Sequence, residues 1–365
     1  MSEWQTFCLK DLGKIVGGAT PPTNNPKNYG NKIAWITPKD LSTLQGRYIK
    51  KGSRNISRLG FKSCSCVLLP KHAILFSSRA PIGYVAIAEK RLCTNQGFKS
   101  IIPNKKIYFE FLYYLLKYHK DNISNIGGGT TFKEVSGATL GLFEVKIPPT
   151  YYEQQKIART LSILDQKIEN NHKINELLHT LAYKVYEHYF KYKPKNAKLE
   201  QIIIENPKSS IMVKNAQKTQ DKYPFFTSGD NILSYPKAII DGRNCFLNTG
   251  GNAGIKFYVG KASYSTDTWC ICANEFSDYL YLLLSSIKTH INQSFFQGTS
   301  LKHLQKNLLK KYPIYMPSVH EIKKFNQIMM PLLTLISINT RTSKKLEQIR
   351  DFLLPLLLKQ QVKPQ

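Results

Sequence analysis

The sequence predicts an α+β protein. Two mixed α/β heads are separated by two long helices, paired as an antiparallel coiled coil, in a pseudo-twofold internal repeat. Three observations predict this. The chain repeats once at an offset of 168 residues. Each copy contains a long helix with an unbroken heptad seam. Each helix follows a segment of short β-branched and aromatic runs holding one shorter helix.

The elements follow in order. Residues 1–149 form the first head, with strand-like runs at Lys32–Thr37, Ala73–Ser77 and Gly83–Ala88, a helix about Tyr108–Lys120 and a closing strand Leu142–Ile147 before Pro148-Pro149. Residues 150–194 form the first spacer helix, running from about Tyr151 to Tyr192 and stopping at Pro194. Residues 195–317 form the second head, with a helix about Ser277–Ile291 and a closing strand about Leu309–Met316. Residues 318–365 form the second spacer helix, from Val319 to roughly Gln360, with a kink expected at Pro331.

Each long helix opens with a capping box, Thr150-x-x-Glu153 and Ser318-x-x-Glu321, in which hydroxyl and carboxylate satisfy orphan backbone donors reciprocally. The first seam reads Ile157, Leu161, Leu164, Ile168, Asn171, Asn175, Leu178, Ala182, Val185, Tyr189. The second reads Phe325, Met329, Leu332, Ile336, Asn339, Ser343, Leu346, Arg350, Leu353, Leu357. Only the pair Ala182/Arg350 changes class. A strict heptad imposes a left-handed supercoil, and the polar layer Asn171/Asn175 with Asn339/Ser343 would fix register and direction. Antiparallel pairing would carry the heads to opposite ends. The stretch Ile157–Tyr189 would reach about 50 Å, longer than the ~34–36 Å of one DNA turn.

Upstream the repeat continues at an offset of 169: Gly129-Thr130-Thr131-Phe132-Lys133 matches Gly298-Thr299-Ser300-Leu301-Lys302, and Ile147-Pro148 matches Met316-Pro317. Looser matches are Phe76-Ser-Ser-Arg79 with Phe246-Leu-Asn-Thr249, and Cys93-Thr94-Asn95-Gln96 with Ser265-Thr266-Asp267-Thr268. A shared frame with divergent residues suits two heads that read different things.

Composition points to a polyanion partner. The 52 Lys+Arg exceed the 24 Asp+Glu for a net charge of +28, and residues 1–150 alone carry +14. A basic surface on the non-helical segments would attract nucleic acid. The start lacks the basic and apolar regions of a signal peptide, and the apolar run Phe352–Leu358 is too short to span, so no membrane is expected. Seven cysteines argue against a disulfide framework. Cys64/Cys66 and Cys270/Cys272 alternate as buried thiols on strands would, and no zinc-type spacing completes a metal site.

No catalytic residue emerges. Pro148-Pro149 follows Ile147 rather than the Asn or Asp of an adenine methyltransferase loop, and Asn206-Pro207 is followed by Lys208-Ser209. The glycines at 127–129 and Gly250-Gly251-x-x-Gly254 lack the Lys-Ser/Thr of a phosphate loop. Glu144-Val145-Lys146 fits a nuclease pattern by letters, but Pro313 stands opposite Glu144 in the repeat, and a strand explains it.

The order of head, capped helix, head, capped helix resembles the specificity (S) subunit of type I restriction–modification enzymes. The phrases that carry the resemblance span essentially the whole chain. They are Ala34-Trp-Ile-Thr-Pro-Lys39-Asp-Leu41, Ser78-Arg79-Ala-Pro-Ile-Gly83, Thr94-Asn95-Gln96-Gly97-Phe98, Pro148-Pro149-x-x-x-Glu153-Gln154-Gln155-Lys156-Ile157, Tyr223-Pro-Phe-Phe-Thr-Ser228-Gly229 and Leu346-x-x-Ile349-Arg350-x-x-Leu353-Leu354. The resemblance implies target recognition domains that each read one half of a bipartite, asymmetric double-stranded DNA sequence. It implies two methyltransferase (M) subunits as partners and restriction/motor (R) subunits in addition, in the cytoplasm. No cofactor is expected in this chain; S-adenosylmethionine would belong to the M subunit, ATP and Mg to the motor. One departure is Glu321-Ile322-Lys323-Lys324 in place of Glu153-Gln154-Gln155-Lys156, expected to alter the second partner-binding surface.

Base reading needs donors and acceptors aimed at base edges, with cations on phosphates. The candidates in the first head are Lys39, Ser77, Ser78, Arg79, Asn95, Gln96, Thr130, Thr131 and Lys133. In the second they are Ser228, Asn248, Thr249, Lys256, Thr266, Asp267, Thr299, Ser300 and Lys302. Arg79 is the candidate for a bidentate guanine contact, and Lys133 and Lys302 for phosphate anchors. Alternatives are a self-contained DNA methyltransferase or nuclease, and a non-specific architectural DNA-binding protein.

Overall fold

The computed structural model describes residues 3–79, 81–129, 133–216 and 222–364. It divides into two units: Met1–Asn170 with Lys344–Gln365, and Asn171–Ser343.

In the first unit a five-stranded sheet runs in the order Gly13–Gly17, Lys99–Pro103, Ile74–Phe76, Val85–Ala88, Tyr48–Ile49. Its pairings are antiparallel except the last, where Tyr48–Ile49 lies parallel to Val85–Ala88. Side chains alternate across the sheet. Ile74, Phe76 and Ile87 pack against Phe111, Leu112, Leu115 and Leu116 of the helix Phe109–Asn125, while Leu75, Ala86 and Ala88 enter a second core with Ile36 and Phe98. Both faces being covered, the central strands read as continuous apolar runs. A parallel pair, Trp35–Ile36 with Cys93–Thr94, extends the head. Gln5–Cys8 closes it by pairing antiparallel with Glu144–Ile147, just before the long helix.

The second unit repeats this plan. Its sheet runs Ile204–Glu205, Thr268–Cys272, Arg243–Asn248, Ile255–Val259, antiparallel throughout. Phe225–Phe226 pairs parallel with Ser263–Tyr264, as Trp35–Ile36 does with Cys93–Thr94. Ala197–Lys198 pairs with Pro313–Ile314, as Gln5–Cys8 does with Glu144–Ile147.

The long helices span Tyr151–Tyr186, continued by a π-helical turn Glu187–Lys191, and Val319–Leu358. The second is continuous through Pro331 and Pro355. Both caps form: the Glu153 amide donates to the Thr150 hydroxyl (3.2 Å), and the Glu321 amide to that of Ser318 (3.3 Å). The Ser318 amide returns a bond to Glu321 Oε2 (2.9 Å), completing that box. None of the twenty seam residues is exposed. Within the second unit the helices run antiparallel: Asn171 Nδ2 donates to Ser343 Oγ (3.1 Å), Asn339 Nδ2 to Asn175 Oδ1 (2.9 Å), and the Tyr189 and Phe325 rings meet edge-on (6.0 Å). The expected polar layer therefore bonds to itself. Within the first unit Arg350 Nη1 donates to Asp165 Oδ1 (2.7 Å), and Ile157 and Leu161 share a core with Leu354 and Leu357.

The pair that breaks the seam acquires a reason. At the same offset Asp165 corresponds to Leu333 and Tyr114, whose hydroxyl donates to Asp165, corresponds to Leu282. Arg350, Asp165 and Tyr114 thus form a buried polar set where the other unit has Ala182, Leu333 and Leu282, all in its apolar core.

Three expectations need correction. The helix about Ser277–Ile291 is two, Ser277–Ser286 and Lys288–Ser294, interrupted at Ile287. The strand about Leu309–Met316 is only Pro313–Ile314, because Leu309 belongs to the short helix Lys306–Lys310. Cys64 and Cys66 lie in a loop, their sulfurs 3.2 Å apart, whereas Cys270 and Cys272 do share a strand; all seven cysteines are free. No helix among the described residues is long and apolar enough to cross a membrane.

Candidate nucleic-acid interface

Each head gathers its candidate residues at one edge through the same main-chain frame. In the first, the Ser77 amide donates to Tyr84 O (2.9 Å), that of Ser78 to Gly97 O (2.8 Å), and that of Val135 to Ser78 O (3.0 Å). In the second, the Asn248 amide donates to Gly254 O (3.0 Å), that of Thr249 to Asp267 O (3.2 Å), and that of Leu304 to Thr249 O (3.0 Å). The bridge Gly128–Glu134 corresponds to the strand pair Gln297–His303. Ser77 therefore corresponds to Asn248 and Ser78 to Thr249, an offset of 171, one more than the sequence match of Arg79 with Thr249. The residue in the Arg79 place is Gly250, and the one in the Glu134 place is His303.

This frame sorts the candidates. Ser77 and Ser78 are fully buried: the Ser77 hydroxyl donates to Pro81 O (2.8 Å) and accepts from the Tyr84 amide (2.8 Å), and that of Ser78 donates to Gly97 O (3.2 Å). Asn248 is buried too, its amide donating to Ser228 O (2.7 Å) and Asn252 O (3.1 Å). The hydroxyls of Ser228 and Thr249 both donate to Asp267 O. Lys256 points its ammonium at Thr227 O (2.8 Å) and Gly229 O (2.7 Å), and burial holds its pKa below the usual lysine range. The polar groups of these seven residues, in side or main chain, are engaged in shaping the loops of their head.

What faces outward is a smaller set. Arg79 is over one-third exposed and lies 3.6 Å from Glu134, which also takes Lys99 (3.2 Å). Asn95 folds its side-chain oxygen back onto the Gly97 amide (3.0 Å), a local Asx turn that lifts exposed Gln96 to its tip. Gln96 accepts from the Thr20 hydroxyl. Lys39 is exposed on the short helix Pro38–Ser42, whose Pro38 abuts Gly97. Lys133, Thr266, Thr299, Ser300 and Lys302 are exposed. Thr130 and Thr131 lie outside the described residues. Gly129 (φ +119°) and Gly298 (φ +143°) open the two Gly-Thr segments in backbone that only glycine adopts readily.

Sequence reasoning missed Thr20 and Glu134. Neither carried a periodic signal; Glu134 was findable only as the acid beside a candidate lysine. The departure at Gln154/Ile322 also resolves. Gln154 is buried, accepting from the Tyr108 amide (2.8 Å) and donating to Lys106 O (3.0 Å), and Ile322 is buried in the core of its unit. That difference lies beneath each head, while the neighbouring one, Gln155 against Lys323, is exposed on each helix.

Among the described residues no group of three or more His, Cys, Asp or Glu side chains could hold a metal ion.

The model of the type I restriction modification DNA specificity domain matches residues 1–180 and again 193–348. The chain is 33% identical to the type I restriction enzyme MjaIX specificity subunit of Methanocaldococcus jannaschii, over 98% of this chain and 93% of that one. It is 31% identical to the HindI specificity subunit of Haemophilus influenzae over 46% of this chain and 37% of that protein. The crystal structure of a type I restriction–modification S subunit from M. genitalium superposes with a TM-score of 0.63 at 18% identity, covering 98% of this chain and 96% of the other.

Proposed function

Because the chain belongs to the type I restriction–modification DNA specificity family, we propose that its two heads read the two halves of one bipartite, asymmetric DNA sequence. The chain is the specificity subunit of such a system. One observation carries the finer reading. The heads share a frame of main-chain hydrogen bonds, yet its outward positions differ, Arg79 and Glu134 in one against Gly250 and His303 in the other. Different tips on one frame present different donors and acceptors to a groove.

In this reading Arg79 and Gln96 contact bases in the first half-site, and Thr266, Thr299 and Ser300 in the second. Lys39, Lys133 and Lys302 anchor phosphates, and the +28 net charge supplies salt-dependent attraction to any duplex. The chain itself is non-catalytic. Two methyltransferase subunits bring S-adenosylmethionine to adenines in the target, and motor-nuclease subunits bring ATP and Mg, all in the cytoplasm.

The test is selection from a randomised duplex pool by the complex of this chain with its methyltransferase. Two short motifs separated by an unread gap of fixed length support the proposal. One continuous motif, or affinity indifferent to sequence, overturns it. Methyl transfer or cleavage by the chain alone would establish a self-contained enzyme instead.

A further inference from the structure

Apolar packing alone seats a head on a helix without fixing its angle, because hydrophobic contact is non-directional. Both heads add directional bonds, among them an arginine fork. In the first unit Arg47 is buried, its guanidinium held between Glu110 (2.9 Å) and Glu169 (3.1 Å). Glu169 belongs to the long helix and also accepts from the Arg47 amide (2.9 Å). The hydroxyls of Tyr48 and Tyr108 complete the shell of Glu110 (2.7 and 2.8 Å). In the second unit Arg243 grips buried Asp278 with Nε (2.6 Å) and Nη2 (2.7 Å). It reaches the other long helix through Thr334 Oγ1 (3.0 Å) and Met330 O (3.3 Å).

The acids are equivalent: Glu110 and Asp278 are each the second residue of the head's own helix, separated by the repeat offset of 168. The arginines are not. Arg47 precedes the edge strand Tyr48–Ile49, whereas Arg243 opens the strand Arg243–Asn248, the counterpart of Ile74–Phe76. Two inequivalent positions thus deliver one device: an arginine fork joining head helix to long helix. Buried ion pairs add little net stability compared with apolar packing, so orientation is what the fork contributes.

We propose that Arg47 and Arg243 are positioning residues that fix the angle of each reading edge on its long helix, and so restrict the gap length accepted between the two half-sites. This rests on the bipartite reading above. The experiment measures binding of the full chain with its methyltransferase to duplexes bearing both selected half-sites, the gap varied one base pair at a time. The variants are Arg47→Lys, which keeps charge without the fork, Glu169→Gln, which keeps the side chain's shape but removes its charge, and Arg243→Lys in the other unit.

Wild type should lose about tenfold or more in affinity one base pair from its optimum. The variants should lose only about threefold there, while staying within about threefold of wild type at the optimum itself. A merely structural role would lower affinity equally at every gap and leave the profile sharp, and that result overturns the proposal. If one variant fails to fold, the other two decide. A flat wild-type profile would defeat the bipartite reading itself, an outcome distinct from sharp profiles in all four proteins.

Discussion

Removing Arg350 should cost far more than removing the whole polar set to which it belongs. Arg350 Nη1 lies 2.7 Å from Asp165 Oδ1, with the two side chains 13% and 5% exposed. At an effective dielectric near 20 that contact is worth about 6 kcal/mol before desolvation is subtracted. Arg350→Ala forfeits it while Asp165 stays buried, so about 3–5 kcal/mol should be lost. The second unit supplies the template for repair, with Ala182, Leu333 and Leu282 in the corresponding places. The triple variant Arg350→Ala, Asp165→Leu, Tyr114→Phe removes every member of the buried set and leaves only the exposed Asp351 without its Arg350 contact. It should return to within about 1–2 kcal/mol of wild type. Urea unfolding followed by Trp4 and Trp35, with Trp269 replaced by Phe, reports the first unit alone. A loss below about 1 kcal/mol for Arg350→Ala, or a triple variant no more stable than that single one, would refute the reasoning.

Three further outcomes are expected. Arg79→Ala should weaken binding to the first half-site by about 1–3 kcal/mol in titrations against matched and mismatched duplexes; equal weakening on every sequence would assign it to phosphate. Gly18→Ala would put a Cβ 2.1 Å from Asn95 O and 2.3 Å from Thr94 O, so the Asn95–Gln96 turn must move. First-half recognition should fall while second-half recognition persists in footprinting. Glu321 is held down to about 2 by the Ser318 amide, the Ser318 hydroxyl and the Tyr315 hydroxyl. A lowered folded pKa means its stabilising contribution is full above the ordinary carboxylate value and disappears as pH falls toward 2. Carboxyl NMR should show it ionised at pH 3.5, and Ser318→Ala should raise its midpoint.

The seam was legible because ten consecutive positions in steps of three and four leave little choice of face, and the Asn171–Ser343 and Asn175–Asn339 bonds follow from it. The helix Phe109–Asn125 and the caps were legible for similarly local reasons. Asp165 and Glu169 were not. On a helical wheel they resemble solvated charges, and only a head folded from distant sequence buries them beside Arg350 and Arg47. Ser77 and Asn248 were ambiguous for another reason, since a polar residue where a strand ends suits a binding loop and an internal turn equally well. The parallel pairing of Trp35–Ile36 with Cys93–Thr94 joins residues nearly sixty positions apart, and no short-range pattern announces it.

The bonds that hold the loop bases together are donated and accepted by peptide groups, at Ser78, Gly97 and Val135 in one head and at Thr249, Asp267 and Leu304 in the other. Peptide groups are common to nearly every amino acid. Mutation at the neighbouring outward positions can therefore exchange an arginine for a glycine, or a glutamate for a histidine, without loosening the scaffold. New preferences can arise one substitution at a time, each intermediate still folded, so that a lineage can change what one head reads and leave the other as it was.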